Sequence, residues 1–130
     1  MIGLLIVSHS SKAAEGIREI ALEMGGDEAT IAAVGGDPDG GIGSSISDIQ
    51  DTLETLLEEV DGVVILADLG SAVMNAETAI EMLEPDAGVV VADAPILEGA
   101  LNAAASTTSP KATVDSVRES AEDARDISKV

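Results

Sequence analysis

The stretch IGLLIVSHSS, residues 2–11, joins an apolar run to the polar segment Ser8-His9-Ser10-Ser11. A short apolar run that ends so abruptly is typical of a buried strand followed by the start of a helix. The histidine at this junction is the only one in the chain. Because open α/β sheets bind ligands at the carboxyl ends of their strands, the pattern predicts that His9 takes part in chemistry. A packing or helix-capping role for His9 is the alternative.

Short apolar runs alternate with amphipathic stretches through the rest of the chain. The sequence predicts further strands at 30–34, 62–67 and 88–92, and helices at about 13–24, 46–60, 71–83, from Pro95 onward and at about 110–127. Ser45-Ile46-Ser47-Asp48 fits a capping box at the start of the second helix. Repeated strand–helix units predict one α/β domain over residues 1–130.

The predicted architecture is a three-layer sandwich, with a central four-stranded, mainly parallel sheet and helices on both faces. We expect the strand order 2-1-3-4, with right-handed crossovers that bring all the strand ends to one edge. The switch point of such a sheet falls between the first and third strands. His9 and Asp68 follow those two strands, so the sequence predicts that they meet.

The composition excludes several classes of function. The chain has 6 Lys and Arg against 25 Asp and Glu, a net charge of −19, and such a surface repels nucleic acid and anionic membranes. The acidic residues are spread along the chain, which favours a general acidic coat suited to a salty cytoplasm over one acidic face for a basic partner. The absence of cysteine excludes thiolate metal sites and cysteine nucleophiles. The absence of aromatic residues leaves no platform for stacking bases or sugars.

The apolar runs also bear on location. The longest run, from Met1 to Val7, is much shorter than the roughly 20 residues that a transmembrane helix needs. No basic segment precedes this run, as a secretory signal would require. We therefore expect a cytoplasmic protein.

Three segments that open helices meet at the predicted sheet edge. They are residues 8–11, the glycine-rich loop 35–44 and residues 67–72. Helix N-termini carry unpaired backbone N–H groups and a partial positive charge, so they bind phosphate without lysine or arginine. Ser10 and Ser11 are therefore candidate phosphate-binding residues beside the histidine. The loop 35–44 lacks the Lys-Ser/Thr ending of a P-loop, which argues against direct ATP binding, and a flexible turn is its other interpretation.

An imidazole is a nucleophile near neutral pH because a large share of it is uncharged there. The ring needs a neighbour that fixes its tautomer, and a carboxylate does this by accepting the N–H of the other ring nitrogen. Asp68 is the candidate by position, and its charge would also stabilise the positive ring that forms on phosphorylation. The alternative for Asp68 is an N-cap of the third helix. The sequence alone leaves both roles open.

Several short motifs occur in order along residues 1–105 and together resemble a known family. They are Val7-Ser8-His9-Ser10, Glu15-Gly16, Ile42-Gly43, Asp68-Leu69-Gly70-Ser71-Ala72, Glu77-Thr78-Ala79 and Ala94-Pro95-Ile96-Leu97-Glu98-Gly99. The set resembles the phosphotransfer subunit of phosphoenolpyruvate-dependent dihydroxyacetone kinase. That subunit is similar to the mannose-type enzyme IIA of the bacterial sugar phosphotransferase system.

The resemblance implies a phosphotransferase subunit that forms homodimers and acts as a phosphohistidine carrier without a cofactor or a metal. His9 would accept a phosphoryl group from a separate, phosphorylated histidine phosphocarrier protein. It would then pass the group to ADP on the nucleotide-binding subunit of dihydroxyacetone kinase. The resemblance also implies that Asp68, Gly43 with Ser44, and Gly70 with Ser71 line the histidine site, the glycines and serines as phosphate-binding residues.

Two other functions stay open at this point. Small metal-chelatases of the tetrapyrrole pathway can also begin with a strand that runs into a histidine, but metal insertion needs further strong ligands, and this chain has neither a second histidine nor a cysteine. A non-catalytic regulatory module would bind a partner through the same edge and carry no transferable phosphate on His9. The sequence also leaves open which ring nitrogen reacts and which sugar is the final acceptor.

Overall fold

The computed structural model describes residues 1–130 and shows an α/β sandwich. Its strands are β1 (Ile2–Ser8), β2 (Ile31–Gly35), β3 (Gly62–Ala67) and β4 (Val89–Val91), and its α-helices are α1 (Ser11–Gly25), α2 (Ile46–Leu57), α3 (Gly70–Glu81), α4 (Ile96–Ser106) and α5 (Val114–Glu122). A short 3-10 helix, Asp123–Asp126, follows α5. The strand order is β2-β1-β3-β4 and every pair is parallel, which confirms the predicted fold class and order.

Apolar side chains on the two faces of the sheet build two separate cores. Leu4 and Ile6 of β1 belong to a cluster of 14 buried residues that includes residues of α1, α4 and α5. Leu5 and Val7 of the same strand belong to a cluster of 13 buried residues with α2 and α3. Because successive side chains of a strand point to opposite faces, one continuous apolar run supplies both cores.

The parallel register brings the polar ends of the strands to one edge of the sheet. Ser8 of β1 lies opposite Gly35 of β2, and Val7 lies opposite Ala67 of β3. The neighbouring backbones approach so closely that a Cβ atom on Gly35 would lie 2.7 Å from the carbonyl oxygen of Ser10. Glycine at position 35 therefore lets the segment after β1 pass close to the end of β2. The polar segments after β1 and β3 lie side by side because those two strands pair in parallel.

Helix starts follow the predictions, with two corrections. Ser10 is the N-cap of α1, and Gly26, with a φ of 75°, ends that helix. Ser45 caps α2 by accepting a hydrogen bond from the Asp48 N–H at 3.2 Å, but the Asp48 side chain makes no return bond, so the predicted capping box is only half formed. Pro95 is the N-cap of α4 and lies before its first turn rather than within it.

The C-terminal helix is shorter than the predicted range of 110–127. Thr113 and Ser116 form a complete capping box, in which each hydroxyl accepts from the other residue's N–H at 3.0 and 2.9 Å. The helix therefore begins after Thr113, and it ends at Glu122, where the chain tightens into the 3-10 helix. None of the helices combines the length and apolar character that crossing a bilayer requires.

Candidate functional site

His9 is held at the sheet edge through both its backbone and its ring. Its N–H donates to Oδ2 of Asp68 at 3.0 Å, and its ring Nδ1 lies 2.9 Å from Oδ1 of the same carboxylate. Its carbonyl oxygen accepts from the Gly43 N–H at 2.9 Å. The segments that follow β2 and β3, the two strands next to β1 in the sheet, thus both anchor the histidine. Its side chain stays 18% exposed, so a partner can reach the ring.

The Asp68 carboxylate accepts four hydrogen bonds. Besides the two from His9, Oδ2 accepts from the Ser8 hydroxyl at 2.8 Å and Oδ1 accepts from the Leu69 N–H at 2.7 Å. Desolvation raises the pKa of Asp68, but the hydrogen bonds from His9, Ser8 and Leu69 outweigh it and hold the pKa below its ordinary value. Asp68 is therefore an anion at neutral pH. The N-cap of α3 is Leu69, so the helix-cap alternative for Asp68 is wrong.

The two ring nitrogens of His9 have different partners. Nδ1 faces the anionic Asp68, which accepts hydrogen bonds and has no proton to donate, so the proton of the neutral ring is assigned to Nδ1. Nε2 then carries the lone pair, and it lies 2.6 Å from Oγ of Ser71, which can donate to it. The geometry therefore presents Nε2 as the nitrogen with nucleophilic character.

Two helix starts flank the histidine. Ser11 opens α1, and its N-cap Ser10 uses its hydroxyl oxygen to accept from the Ala13 N–H at 3.2 Å. Gly70 and Ser71 open α3. The N–H groups in the first turn of a helix have no carbonyl partner within that helix and carry partial positive charge. The structure thus brings four of the predicted phosphate-binding residues to the two helix ends next to His9.

The loop 35–44 is a compact turn closed by its own hydrogen bonds. Oδ1 of Asp37 accepts from the N–H groups of Asp39 at 3.0 Å and Gly41 at 2.7 Å, which fastens the loop onto itself. The Gly43 N–H, which we expected to bind phosphate, is already bonded to the His9 carbonyl oxygen. That expectation is corrected, because Gly43 positions the backbone of the histidine and its N–H is not free for a ligand.

Two further residues belong to the site, although their sequence context predicted no role for either of them. Ser8 is buried, and its hydroxyl donates to Asp68 while accepting from the Ser10 N–H at 3.1 Å. Asn75 donates from Nδ2 to Oγ of Ser44 at 2.5 Å. A signal for Asn75 was present in the sequence, because it lies one helical turn after Ser71 and so shares a face of α3 with it.

A cleft of about 380 Å³ opens beside the site, between α3 and the end of β4. Three carboxylates line it, those of Asp68, Glu77 and Asp93. They repel the phosphates of a nucleotide, so this cleft does not suit ADP or ATP. No group of three or more His, Cys, Asp or Glu side chains is arranged to hold a metal ion.

A model of the mannose-type enzyme IIA family, the "PTS system fructose IIA component", matches residues 3–118. The chain belongs to this family. As a mannose-type IIA protein, it is 40% identical over 106 residues to the phosphoryl donor subunit DhaM of PEP-dependent dihydroxyacetone kinase 2 from Listeria innocua, which covers 80% of this chain and 84% of the relative. The DhaM subunit of Escherichia coli is 40% identical over 114 residues, but these cover 84% of this chain and only 24% of that longer relative.

Solved structures agree with the family assignment. A crystal structure of EF1359, a protein of unknown function, matches with a TM-score of 0.80 and 36% identity over 93% of this chain and 92% of that one. The phosphotransferase system component EIIA from Streptococcus agalactiae matches with a TM-score of 0.71 over 95% of this chain and 92% of that one, and at 21% identity it supports the fold alone. The chain is a mannose-type IIA of the DhaM type, as the sequence motifs predicted, and these relatives favour a phosphocarrier over a chelatase.

Proposed function

We propose that the protein is a phosphocarrier that holds a phosphoryl group on Nε2 of His9. The observation that carries the proposal is the placement of the ring between Asp68 at 2.9 Å and Ser71 at 2.6 Å. Asp68 fixes the proton on Nδ1, which leaves the lone pair of Nε2 for attack on phosphorus. The DhaM relatives, which are named as phosphoryl donor subunits, support this role.

The donor in this proposal is a phosphorylated histidine phosphocarrier protein, and the acceptor is ADP on the nucleotide-binding subunit of dihydroxyacetone kinase. Nε2 of His9 attacks the phosphorus, the P–N bond to the donor imidazole breaks, and a new P–N bond forms. In the second step an oxygen of the ADP β-phosphate attacks, the P–N bond breaks, and the neutral ring of His9 is restored. No metal or cofactor in this chain is required for either step.

In this proposal Asp68 acts on the His9 ring, and the other residues of the site bind the phosphoryl group. Asp68 orients His9 and stabilises the positive ring that carries the phosphoryl group. The hydroxyl of Ser71 donates to a phosphoryl oxygen once Nε2 is occupied. Ser10, Ser11 and Gly70 contribute hydroxyl or first-turn N–H donors, which bind phosphate without formal positive charge. The Ser44 hydroxyl completes this set.

The decisive experiment is phosphorylation with radiolabelled phosphoenolpyruvate, the general phosphotransfer enzyme and the histidine phosphocarrier protein. The expected result is an acid-labile, base-stable label on the wild-type chain that is absent from His9→Gln. Because His9 is the only histidine, a label on an imidazole can only be on His9. Proton-coupled NMR of a ¹⁵N-histidine-labelled sample then identifies the phosphorylated nitrogen, which we expect to be Nε2.

Transfer onward is tested by adding ADP with the nucleotide-binding and dihydroxyacetone-binding kinase subunits to the labelled chain. Movement of label to dihydroxyacetone supports the proposal. Label that forms but never leaves His9 would indicate a regulatory module instead. Homodimer formation and a cytoplasmic location are part of the same proposal, and sedimentation equilibrium and cell fractionation test them.

A further inference from the structure

The Ser44–Asn75 hydrogen bond connects the two segments that face each other across the site. Ser44 lies in the loop before α2, and Asn75 lies in α3, with 2.5 Å between Oγ and Nδ2. Both side chains are partly buried. In this contact Asn75 donates and the Ser44 oxygen accepts. The hydroxyl hydrogen of Ser44 is therefore directed away from Asn75 and stays available for another acceptor.

Both ends of this hydrogen bond are adjacent to groups that touch His9. Gly43, the residue before Ser44, donates its N–H to the His9 carbonyl oxygen at 2.9 Å. Ser71, one turn before Asn75 on the same face of α3, contacts Nε2 of the ring at 2.6 Å. Helix α3 thus controls two hydroxyls near His9. It carries the Ser71 hydroxyl itself, and through Asn75 it binds the Ser44 hydroxyl.

We propose that Asn75 is a positioning residue that orients the Ser44 hydroxyl toward the phosphoryl group on His9. This inference rests on the proposed function, because it needs a phosphoryl group at that ring. A carboxylate in place of the Asn75 amide, as in Asn75→Asp, would reverse the orientation of the Ser44 hydroxyl. It would draw the Ser44 hydrogen toward itself and leave the phosphoryl oxygen facing a lone pair.

The test uses phosphoramidate, a small phosphoryl donor that needs no protein partner. Nε2 attacks phosphorus, the P–N bond of phosphoramidate breaks, and ammonia leaves. We would follow the formation and hydrolysis of phosphohistidine by ³¹P NMR for the wild type, Asn75→Ala, Asn75→Asp and Ser44→Ala. Asn75→Ala is expected to slow formation by about 5- to 10-fold, the size expected for one neutral hydrogen bond, because the Ser44 hydroxyl remains and loses only its orientation, and Asn75→Asp by more.

The double variant Ser44→Ala with Asn75→Ala separates positioning from general structural support. If Asn75 acts through Ser44, its substitution has no further effect once the Ser44 hydroxyl is gone. Ser44→Thr should retain both the hydroxyl and the dependence on Asn75. Thr78→Ala is the matched control, since Thr78 is a polar residue of α3 whose hydroxyl donates to the Met74 carbonyl oxygen at 3.0 Å, away from Ser44.

The outcomes distinguish this inference from the function on which it rests. A wild-type chain that gains no phosphohistidine from phosphoramidate or from the protein donor overturns both. A wild-type chain that is phosphorylated while Asn75→Ala matches it overturns only the role of Asn75. Independent, multiplicative effects of the Ser44 and Asn75 substitutions would also overturn that role. Thermal unfolding by circular dichroism verifies that every variant is folded.

Discussion

Replacing Asp68 by asparagine tests the central contact of the site with almost no change in shape. The carboxylate accepts four hydrogen bonds, two on each oxygen. An amide accepts hydrogen bonds only at its oxygen. Its NH2 group would therefore face two of the donors that now bind one oxygen of the carboxylate. With the amide oxygen toward Nδ1 of His9, the NH2 group opposes the Ser8 hydroxyl and the His9 N–H. With the amide reversed, the NH2 group faces Nδ1 and forces the proton onto Nε2, where it blocks the lone pair.

Both orientations of the substituted amide lose at least one hydrogen bond to a charged group. Such a bond contributes about 1.5–3 kcal/mol, which corresponds to a rate loss of about 10- to 150-fold if the bond acts fully in the transition state. Asp68→Asn should therefore slow phosphorylation of His9 by that factor. The remaining hydrogen bonds of the segment after β1 should keep the variant folded.

The assay is the initial rate of label incorporation from the phosphorylated donor protein in a single turnover. Asp61→Asn is the matched control, because Asp61 is 85% exposed and pairs with the N-terminal amine at the opposite edge of the sheet. It should react at the wild-type rate. A folded Asp68→Asn variant that reacts within about twofold of the wild type, less than the loss of one such bond allows, would refute the assigned role of Asp68.

Three further predictions concern stability. Gly35→Ala places a Cβ atom 2.7 Å from the Ser10 carbonyl oxygen and should lower the free energy of unfolding in urea by about 1–3 kcal/mol. The control Gly16→Ala adds a Cβ atom that meets nothing within 4 Å outside its own helix and should raise that free energy by about 0.5–1 kcal/mol. Equal effects of the two substitutions would contradict the close approach at Gly35. Because its folded-state pKa is lowered from 3.8, Asp68 stabilises the fold fully above that value and loses the contribution as the pH falls through the folded-state pKa. The difference in unfolding free energy between the wild type and Asp68→Asn should therefore shrink in acid, and a constant difference from neutral to strongly acidic pH would count against this. Thr113→Ala should cost about 1 kcal/mol by removing the cap of α5, and Thr113→Ser should restore it, as thermal unfolding would show.

The sequence predicted the parts of the molecule that depend on hydrophobic pattern. The apolar runs determine the strands, and parallel strands necessarily end at one edge, so the meeting of His9 and Asp68 followed from strand order alone. The boundaries of α5 were predicted less well, because Thr113 and Ser116 cap each other through side chains that the apolar period does not reveal. The Ser44–Asn75 contact depends on how α3 is rotated against a distant loop, and no local pattern encodes that rotation.

The charges around the His9 ring affect how readily a phosphoryl group would leave it. The groups that touch the His9 ring are a neutral hydroxyl, on Ser71, and an anion, on Asp68. A dianionic phosphoryl group on the ring would be held by its P–N bond and by the neutral donors at the two helix starts, while the charge of Asp68 would repel it. In the proposed carrier the phosphoryl group would therefore keep a high transfer potential, and loading would run close to thermodynamic balance because it exchanges one P–N bond to an imidazole for another.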